Sequence, residues 1–265
     1  MKIKPCIPTL ILVFFSLNCA DRKSDKLNPE TSVLLINGDV VQFGEFLLIA
    51  KQKRNNILTL FKNQIYDENT FKVEEFWNSN FNGVTPFEKL KQETEKQIIR
   101  VKTEQELAEK HKIINKFSYS EFTITLKQEN KRRLDALKNK KPIYGPVQYP
   151  EKFYYGYLYN NMVIQLKDIL GKEVFTFTEI EYKDFYERHK DLLFRNSAKK
   201  GSLMTEIIIL PGYKTLDEVK KQIRQGLIDE EYEKLIVAKT LSAEVKEVDE
   251  ILSQYFNYLT LSSHY

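Results

Sequence analysis

Apolar residues recur at helical spacing along most of the chain, and four of these segments open with the same polar signature. A Ser or Thr is followed three residues later by Glu, so that the hydroxyl accepts from a backbone N–H while the carboxylate reaches back. The four pairs are Thr85 with Glu88, Ser118 with Glu121, Thr178 with Glu181 and Thr215 with Glu218. The pattern predicts helices over residues 86–112, from residue 118 onward, over residues 179–194 and over residues 216–226.

Two further segments have helical periodicity. Residues 150–170 place apolar side chains along one face, and a Pro- and Gly-containing break at residues 141–146 separates them from the preceding helix. Residues 244–259 repeat the same spacing. We therefore predict helices over both segments.

Strand signals are few. Apolar residues 33–36 lead into Asn37 and Gly38 and then into a second apolar pair, which is typical of a tight hairpin. Residues 207–210 form a short apolar run that ends at a Pro-Gly pair, and they predict a buried strand. The elements together predict a mainly α fold, with a short N-terminal hairpin on a helical domain and a small α+β part after it.

The first residues have the composition of a secretory signal. Lys2 and Lys4 precede an apolar core at residues 7–17. A bilayer span needs about 20 apolar residues, so this core is too short to cross a membrane and fits the apolar region of a signal peptide. We therefore expect residues 1–18 to be a signal peptide. The protein is then expected in the cell envelope, at the periplasmic or extracytoplasmic face.

A cysteine follows this apolar core directly, in a pattern that resembles the lipobox of bacterial lipoproteins. Leu17 lies two residues before Cys19 and Asn18 one before it, whereas the usual pattern has Leu three before and a small residue one before. The resemblance implies that Cys19 is lipidated, that residues 19–32 form a tether, and that the lipid holds the protein on a membrane. An uncleaved anchor or an ordinary signal cut nearby remain as alternatives.

Composition excludes several classes of protein. Without residues 1–18 the formal charge falls from +4 to +2, because two lysines and no acids are removed, so no nucleic-acid partner is indicated. Cys6 is the only cysteine besides Cys19, which excludes a disulfide scaffold and a cysteine nucleophile in the mature chain. None of the three histidines has a neighbour at metal-ligand spacing, and the sequence contains no phosphate-binding or dinucleotide fingerprint. We expect no cofactor and no metal.

Several short motifs follow one another over residues 33–195. They are the Asn-Gly turn within residues 36–41, the acidic helix start at residues 43–46, the pair Phe76-Trp77, the helix ending at residues 107–113, and Tyr182, Tyr186 and Phe194. Their order resembles the SurA/PrsA-type envelope foldases, which join a helical chaperone domain to a parvulin peptidyl-prolyl isomerase domain. The resemblance implies a chaperone-like domain over residues 33–195, with unfolded or extended exported polypeptides as its partners.

Beyond residue 195 the resemblance covers less of the family pattern. A parvulin usually has a histidine before its first apolar strand, where this sequence has Glu206. It also needs a glycine-rich loop and a second histidine near its last strand. After Gly226 the sequence has no glycine, and His264 is its only histidine there. The resemblance therefore implies a degenerate or truncated parvulin-like region over residues 196–265, and we assign no catalytic residue.

Six aromatic residues fall within eleven positions around the start of the helix predicted over residues 150–170. They are Tyr149, Phe153, Tyr154, Tyr155, Tyr157 and Tyr159. A helix with rings on all sides cannot bury every ring against one core face. One interpretation is a helix buried between two lobes. The other is a cradle for extended apolar clients that Tyr155 and Tyr159 contact, since rigid rings supply contact area at little entropic cost.

The sequence thus predicts an envelope lipoprotein that acts as a holdase for unfolded exported chains. Two alternatives remain open. The first is an active peptidyl-prolyl cis-trans isomerase, and the second is a structural or adhesive surface lipoprotein without chaperone activity.

Overall fold

Seven helices and five strands form in the part of the chain that the computed structural model describes, which is residues 28–62, 73–196, 199–200, 207–208 and 212–248. The helices are α1 (Phe43–Lys62), α2 (Val73–Asn78), α3 (Pro86–Lys110), α4 (Tyr119–Lys138), α5 (Glu151–Glu173), α6 (Glu179–Leu193) and α7 (Leu216–Leu241). The strands are β1 (Ser32–Ile36), β2 (Asp39–Gln42), β3 (Lys199–Lys200), β4 (Ile207–Ile208) and β5 (Val245–Glu247). The fold is mainly helical with a small antiparallel sheet, as predicted.

Four helices begin where the Ser/Thr-Glu signature predicts them. At each start the hydroxyl accepts from the backbone N–H of the Glu, and the Glu carboxylate accepts from the backbone N–H of the cap. These capping boxes satisfy backbone donors that have no partner inside the helix. They define the starts of α3, α4, α6 and α7. The fifth predicted helix, α5, begins after Pro150 without a side-chain cap.

The predicted N-terminal hairpin is confirmed. Asn37 and Gly38 both have positive φ, at 52° and 87°, which a tight two-residue hairpin turn requires. β1 therefore pairs with β2 in antiparallel register. The second predicted strand is confirmed over residues 207–208, where β4 pairs with β3, and residues 209–210 lie outside the described residues.

The helix predicted over residues 244–259 is wrong at its start. Residues 245–247 form β5, which pairs antiparallel with β1 and makes the strand order β2-β1-β5. The Asn37 side chain accepts from the backbone N–H of Glu244 at 2.9 Å and holds the incoming chain at the hairpin turn. Long-range backbone pairing with β1 therefore overrides the local helical spacing. Residues 249–259 lie outside the described residues.

The largest core cluster lies between the hairpin, α1, α2 and α3. Its fully buried side chains include Trp77, Phe46, Leu90 and Ile98. Burying one side chain of this size contributes about 1.5–3 kcal/mol. α1 and α3 share the most extensive helix contact among the described elements, and α2, α5 and α7 pack against α3.

Helix α7 is longer than predicted and packs against the N-terminal helices. The sequence predicts a helix over residues 216–226, whereas α7 runs for 26 residues. It contacts α3, α5 and α6, and its buried Tyr232 joins Leu107 and Leu166 in one core cluster. The expected division after residue 195 therefore does not coincide with a gap in the packing, because both α7 and β5 pack against elements on its N-terminal side.

Two glycines allow close approach around α7. A Cβ at Gly171 of α5 would lie 2.6 Å from Ile228 Cδ1, and a Cβ at Gly226 of α7 would lie 2.2 Å from Phe185 Cζ. Both distances are shorter than a side chain tolerates, so glycine at these positions sets how closely α7 packs against α5 and α6.

Among the described residues, no helix combines the length and the apolar character that a membrane crossing would require.

Candidate functional site

Helix α5 presents different chemistry on its two faces, and its inward face makes polar contacts. The Tyr155 hydroxyl donates to Glu45 Oε1 at 2.8 Å. The other oxygen of that carboxylate lies 2.8 Å from Lys102 Nζ. All three side chains are buried. Glu45 stands in the first turn of α1, where the helix N-terminus favours a negative charge. One buried ion pair thus joins α1 to α3, and its carboxylate accepts a hydrogen bond from a hydroxyl of α5.

A second polar cluster lies next to the first and centres on Glu104 of α3, which is fully buried. Tyr232 of α7 donates to Glu104 Oε1 at 2.9 Å, and Tyr159 of α5 donates to Glu104 Oε2. Arg100 Nε lies 3.1 Å from the same carboxylate. The guanidinium also donates two parallel bonds, of 2.8 and 2.7 Å, to Glu233 of α7. Glu104 therefore links α3, α5 and α7.

Burial raises the pKa of all three tyrosines in these clusters. Desolvation is the largest cause for Tyr155, Tyr159 and Tyr232, and the negative charges of Glu45 or Glu104 add to it. The hydroxyls therefore stay protonated at neutral pH and keep donating. Because the hydroxyl and cationic partners of the two carboxylates come from different helices, the clusters hold those helices together.

Of the two tyrosines predicted to contact clients, Tyr155 is buried and Tyr159 is partly buried. Only 5% of the Tyr155 surface is exposed, and Tyr159 is partly buried against the main core cluster. Their positions agree with the interpretation of α5 as a buried, interhelical element. An open client surface at these two positions is not what the structure shows, because their hydroxyls supply the bonds that two buried carboxylates need.

The outward face of α5 carries three exposed apolar side chains, called the stripe here, and the exposed Asn160 lies between the second and the third of them. Phe153, Tyr157 and Ile164 are 68%, 52% and 65% exposed, and their spacing of four and then seven residues puts them on one side of the helix. A rise of 1.5 Å per residue separates the ends of the stripe by about 16 Å. The expectation that an all-round aromatic helix must expose some of its rings is confirmed, but the exposed rings are not the two that were predicted to contact clients.

Tyr157 belongs to an aromatic stack near the N-terminal end of α5. Its ring lies 6.2 Å from that of Tyr149, with an angle of 18° between the planes, and 6.3 Å from that of Tyr154. The guanidinium of Arg133 lies over the Tyr149 ring, 4.3 Å from its centroid. The ring contacts of Tyr157 with Tyr149 and Tyr154 favour one orientation of its exposed ring.

Ile164, at the C-terminal end of the stripe, borders an open groove between α5 and α7. The groove has a volume of about 710 Å³. Its apolar lining comes from Ile164 and Ile228, and charged side chains such as Lys167 and Asp229 stand around it. Apolar side chains bordered by charges suit an extended peptide segment whose backbone remains close to water.

Other residues singled out in the sequence have structural contacts or lie outside the described residues. The His111 ring lies 3.7 Å from a Glu173 carboxylate oxygen, and the centroid of the His189 ring lies 4.2 Å from that of Phe185. The described residues contain no cluster of metal-binding side chains. Cys6, Cys19, Glu206 and His264 lie outside the described residues.

No protein-family model, no curated protein and no solved structure matches this chain.

Proposed function

We propose that this chain is a SurA/PrsA-like envelope lipoprotein that acts as a holdase for unfolded or extended exported polypeptides. Lipid on Cys19 keeps it at a membrane, near the place where exported chains emerge. The resemblance of its motifs supports the family, and the exposed stripe on α5 supports the activity.

The stripe is the observation that carries the proposal. Its two rings and one aliphatic side chain remain in water although the opposite face of the same helix is buried. Its length of about 16 Å equals the length of about five residues of extended chain. A client segment with apolar side chains can lie along it and bury them transiently, without a fixed client sequence. The contact area is small, which suits rapid release.

A triple variant tests this client surface. Phe153→Ser, Tyr157→Ser and Ile164→Ser together should raise the concentration needed to suppress aggregation of heated citrate synthase about tenfold. Each full burial that is lost would cost about 1.5–3 kcal/mol, and burial on an open surface is partial. Folding should persist, because all three side chains are exposed.

The matched control removes apolar surface of similar exposure elsewhere. Ile180→Ser, Leu192→Ser and Leu241→Ser replace exposed side chains of α6 and α7, and this variant should suppress aggregation as the parent does. If both variants lost aggregation suppression equally, the stripe would not be the client surface. A parent protein that suppresses no aggregation would leave the structural or adhesive alternative.

The isomerase alternative has its own assay. The sequence lacks the histidine pair and the glycine-rich loop of a parvulin, so we expect no acceleration of prolyl isomerisation in a short peptide. The uncatalysed barrier is about 18–20 kcal/mol. A protein-dependent rate increase would support the isomerase.

A further inference from the structure

The second half of α4 and the loop after it form a strongly basic protrusion, defined here as residues 127–148. Residues 127–141 contain seven basic and two acidic side chains, a net charge of +5, whereas the whole chain carries only +4. Among the described elements, α4 makes its principal contact with α5 alone. The positive charge of this protein is therefore concentrated at one projecting end of the structure.

The loop of this protrusion is fastened to α4. Arg133 donates to the carbonyls of Tyr144 and Pro146 at 2.7 and 2.9 Å, and to the Tyr149 hydroxyl at 2.9 Å. Asn130 exchanges two hydrogen bonds with the backbone of Tyr149. Asn130 and Arg133, in the polar middle of α4, thus hold the loop against the helix.

Apolar side chains lie exposed among these charges. Tyr144 is 88% exposed, and Leu134, Leu137 and Val147 are between 36% and 50% exposed. Because the Tyr144 ring is almost fully exposed, it contributes little to packing within the fold. Aromatic and aliphatic side chains surrounded by lysines are typical of surfaces that insert shallowly into the interface of a membrane.

The lysines of the protrusion are available to an external anion. Within the described part of the chain, no ion pair joins Lys131, Lys138, Lys140 or Lys141 to a carboxylate. Lys131 and Lys141 line an open hollow of about 500 Å³ on the flank of α4, together with Arg132 and the carboxylate of Asp135. That arrangement suits a phosphate-bearing headgroup, because several cations can surround it without displacing an internal partner.

We propose that the basic protrusion docks on an anionic lipid surface, with its lysines at the headgroups and Tyr144 at the interface. Charge complementarity supports this partner. Apart from Ala136, polar and charged side chains line the hollow on the protrusion. That lining favours a lipid surface over an apolar polypeptide segment, since a bilayer interface needs only projecting side chains.

Chain lengths agree with this orientation if Cys19 carries lipid, a point that rests on the proposed function. The start of the described chain lies beside the base of α4, because Gln42 bonds both the Glu30 carbonyl and the Ser120 hydroxyl. From Ser120 to Lys138 the helix spans about 27 Å. Asn28 lies nine residue steps after Cys19, a stretch that reaches at most about 32 Å. A lipid on Cys19 and the tip of the protrusion can therefore reach the same membrane.

Vesicle binding tests the proposal without lipidation or a client. The chain from residue 19, carrying Cys19→Ser, is sedimented with vesicles of phosphatidylcholine and with vesicles that also contain phosphatidylglycerol. We expect binding only to the anionic vesicles, weakened by salt. Lys138→Gln, Lys140→Gln and Lys141→Gln together should weaken it about a hundredfold, since each lysine near such a surface contributes about a factor of five.

Two further variants make the outcome decisive. Lys110→Gln, Lys183→Gln and Lys221→Gln remove the same charge from other exposed positions and should leave most of the binding. Tyr144→Ser should weaken binding that persists at high salt. Equal losses in both lysine variants, or binding without anionic lipid, would overturn the proposal. The triple variant at Lys138, Lys140 and Lys141 could also bind vesicles as the parent does but lose aggregation suppression. That result would overturn the lipid proposal and assign the protrusion to acidic clients.

Discussion

At the scale of single residues, the chemistry of the interior depends on a few buried charges whose partners come from different helices. Glu45 and Lys102 form an ion pair that is shielded from water, and Tyr155 completes it. Removing one member of such a group is costly because the others stay buried without a partner. Removing a single hydroxyl from these clusters should therefore lower the free energy of unfolding measurably.

The substitution Tyr155→Phe removes one hydroxyl and keeps the ring. It should lower the free energy of unfolding by about 1–3 kcal/mol, because one oxygen of the buried Glu45 carboxylate loses its donor. Urea denaturation gives the value. Tyr157→Phe is the matched control on the exposed side of α5 and should change stability by less than about 0.5 kcal/mol. Equal effects of the two substitutions would contradict the assigned burial.

Sequence patterns anticipated part of this chemistry. They predicted an aromatic helix that cannot hide all its rings, which the exposed Phe153 confirms. They could not tell which rings face inward, because that depends on Glu45 and Glu104, more than 50 residues away in sequence. The segment around Lys102 and Glu104 reads as a polar helix surface, and only tertiary contacts show that it is buried.

At the scale of elements, local signals succeeded where backbone geometry is decided locally. The capping boxes and the Asn-Gly turn act within four residues, and they placed four helix starts and one hairpin correctly. Strand β5 was missed because its pairing with β1 joins residues about 210 positions apart, and a three-residue strand has too few positions to show alternation. The length of α7 was underestimated for a similar reason, since Tyr232 is buried by α3 and α5.

The cap of α6 gives a test with a defined pH dependence. Hydrogen bonds from the backbone and hydroxyl of Thr178 lower the pKa of Glu181. A carboxyl whose pKa is lowered on folding stabilises the fold above its unfolded pKa, and this contribution is lost as pH falls through the lowered pKa. Thr178→Ala should therefore move the pKa of Glu181 upward toward its ordinary value, which an NMR titration measures.

The same substitution should also cost about 1 kcal/mol of stability at neutral pH, the usual value of a lost cap, and less in acid. Thr176→Ala is the control, because Thr176 is exposed and lies just outside the helix. A pKa of Glu181 that does not change in Thr178→Ala would contradict the capping geometry.

At the scale of the whole molecule, the helices on both sides of residue 195 should unfold together, because α7 packs on α3 and α5. Trp77 is the only tryptophan in the chain and is fully buried near α1 and α3, so its fluorescence reports on the N-terminal elements. Ile236→Ala on α7 should lower the free energy of unfolding seen by this fluorescence by about 2–5 kcal/mol.

Val237→Ala is the adjacent control, because this side chain is half exposed. It should change little. If Ile236→Ala left the fluorescence transition unchanged and altered only the circular dichroism, α7 would belong to a separately folding unit, as the division after residue 195 expected.

The proposed lipid anchor also belongs to this scale. Cys19→Ser should release the protein from the membrane fraction of cells, because the thiol proposed to accept the lipid is lost. Metabolic labelling with a fatty acid should mark the parent and not the variant. A parent without label, together with a variant that still sediments with membranes, would contradict lipidation and leave an uncleaved anchor.

The pairing of β5 with β1 has a consequence for the order in which the fold can form. The chain is synthesised from its N-terminus, so the hairpin emerges more than 200 residues before its third strand. Until residues 245–247 arrive, one edge of β1 has backbone donors and acceptors without partners, which is a surface that pairs readily with other extended chains. Any protein that assists this chain would be needed in that interval, and a truncation before residue 245 should prolong it indefinitely.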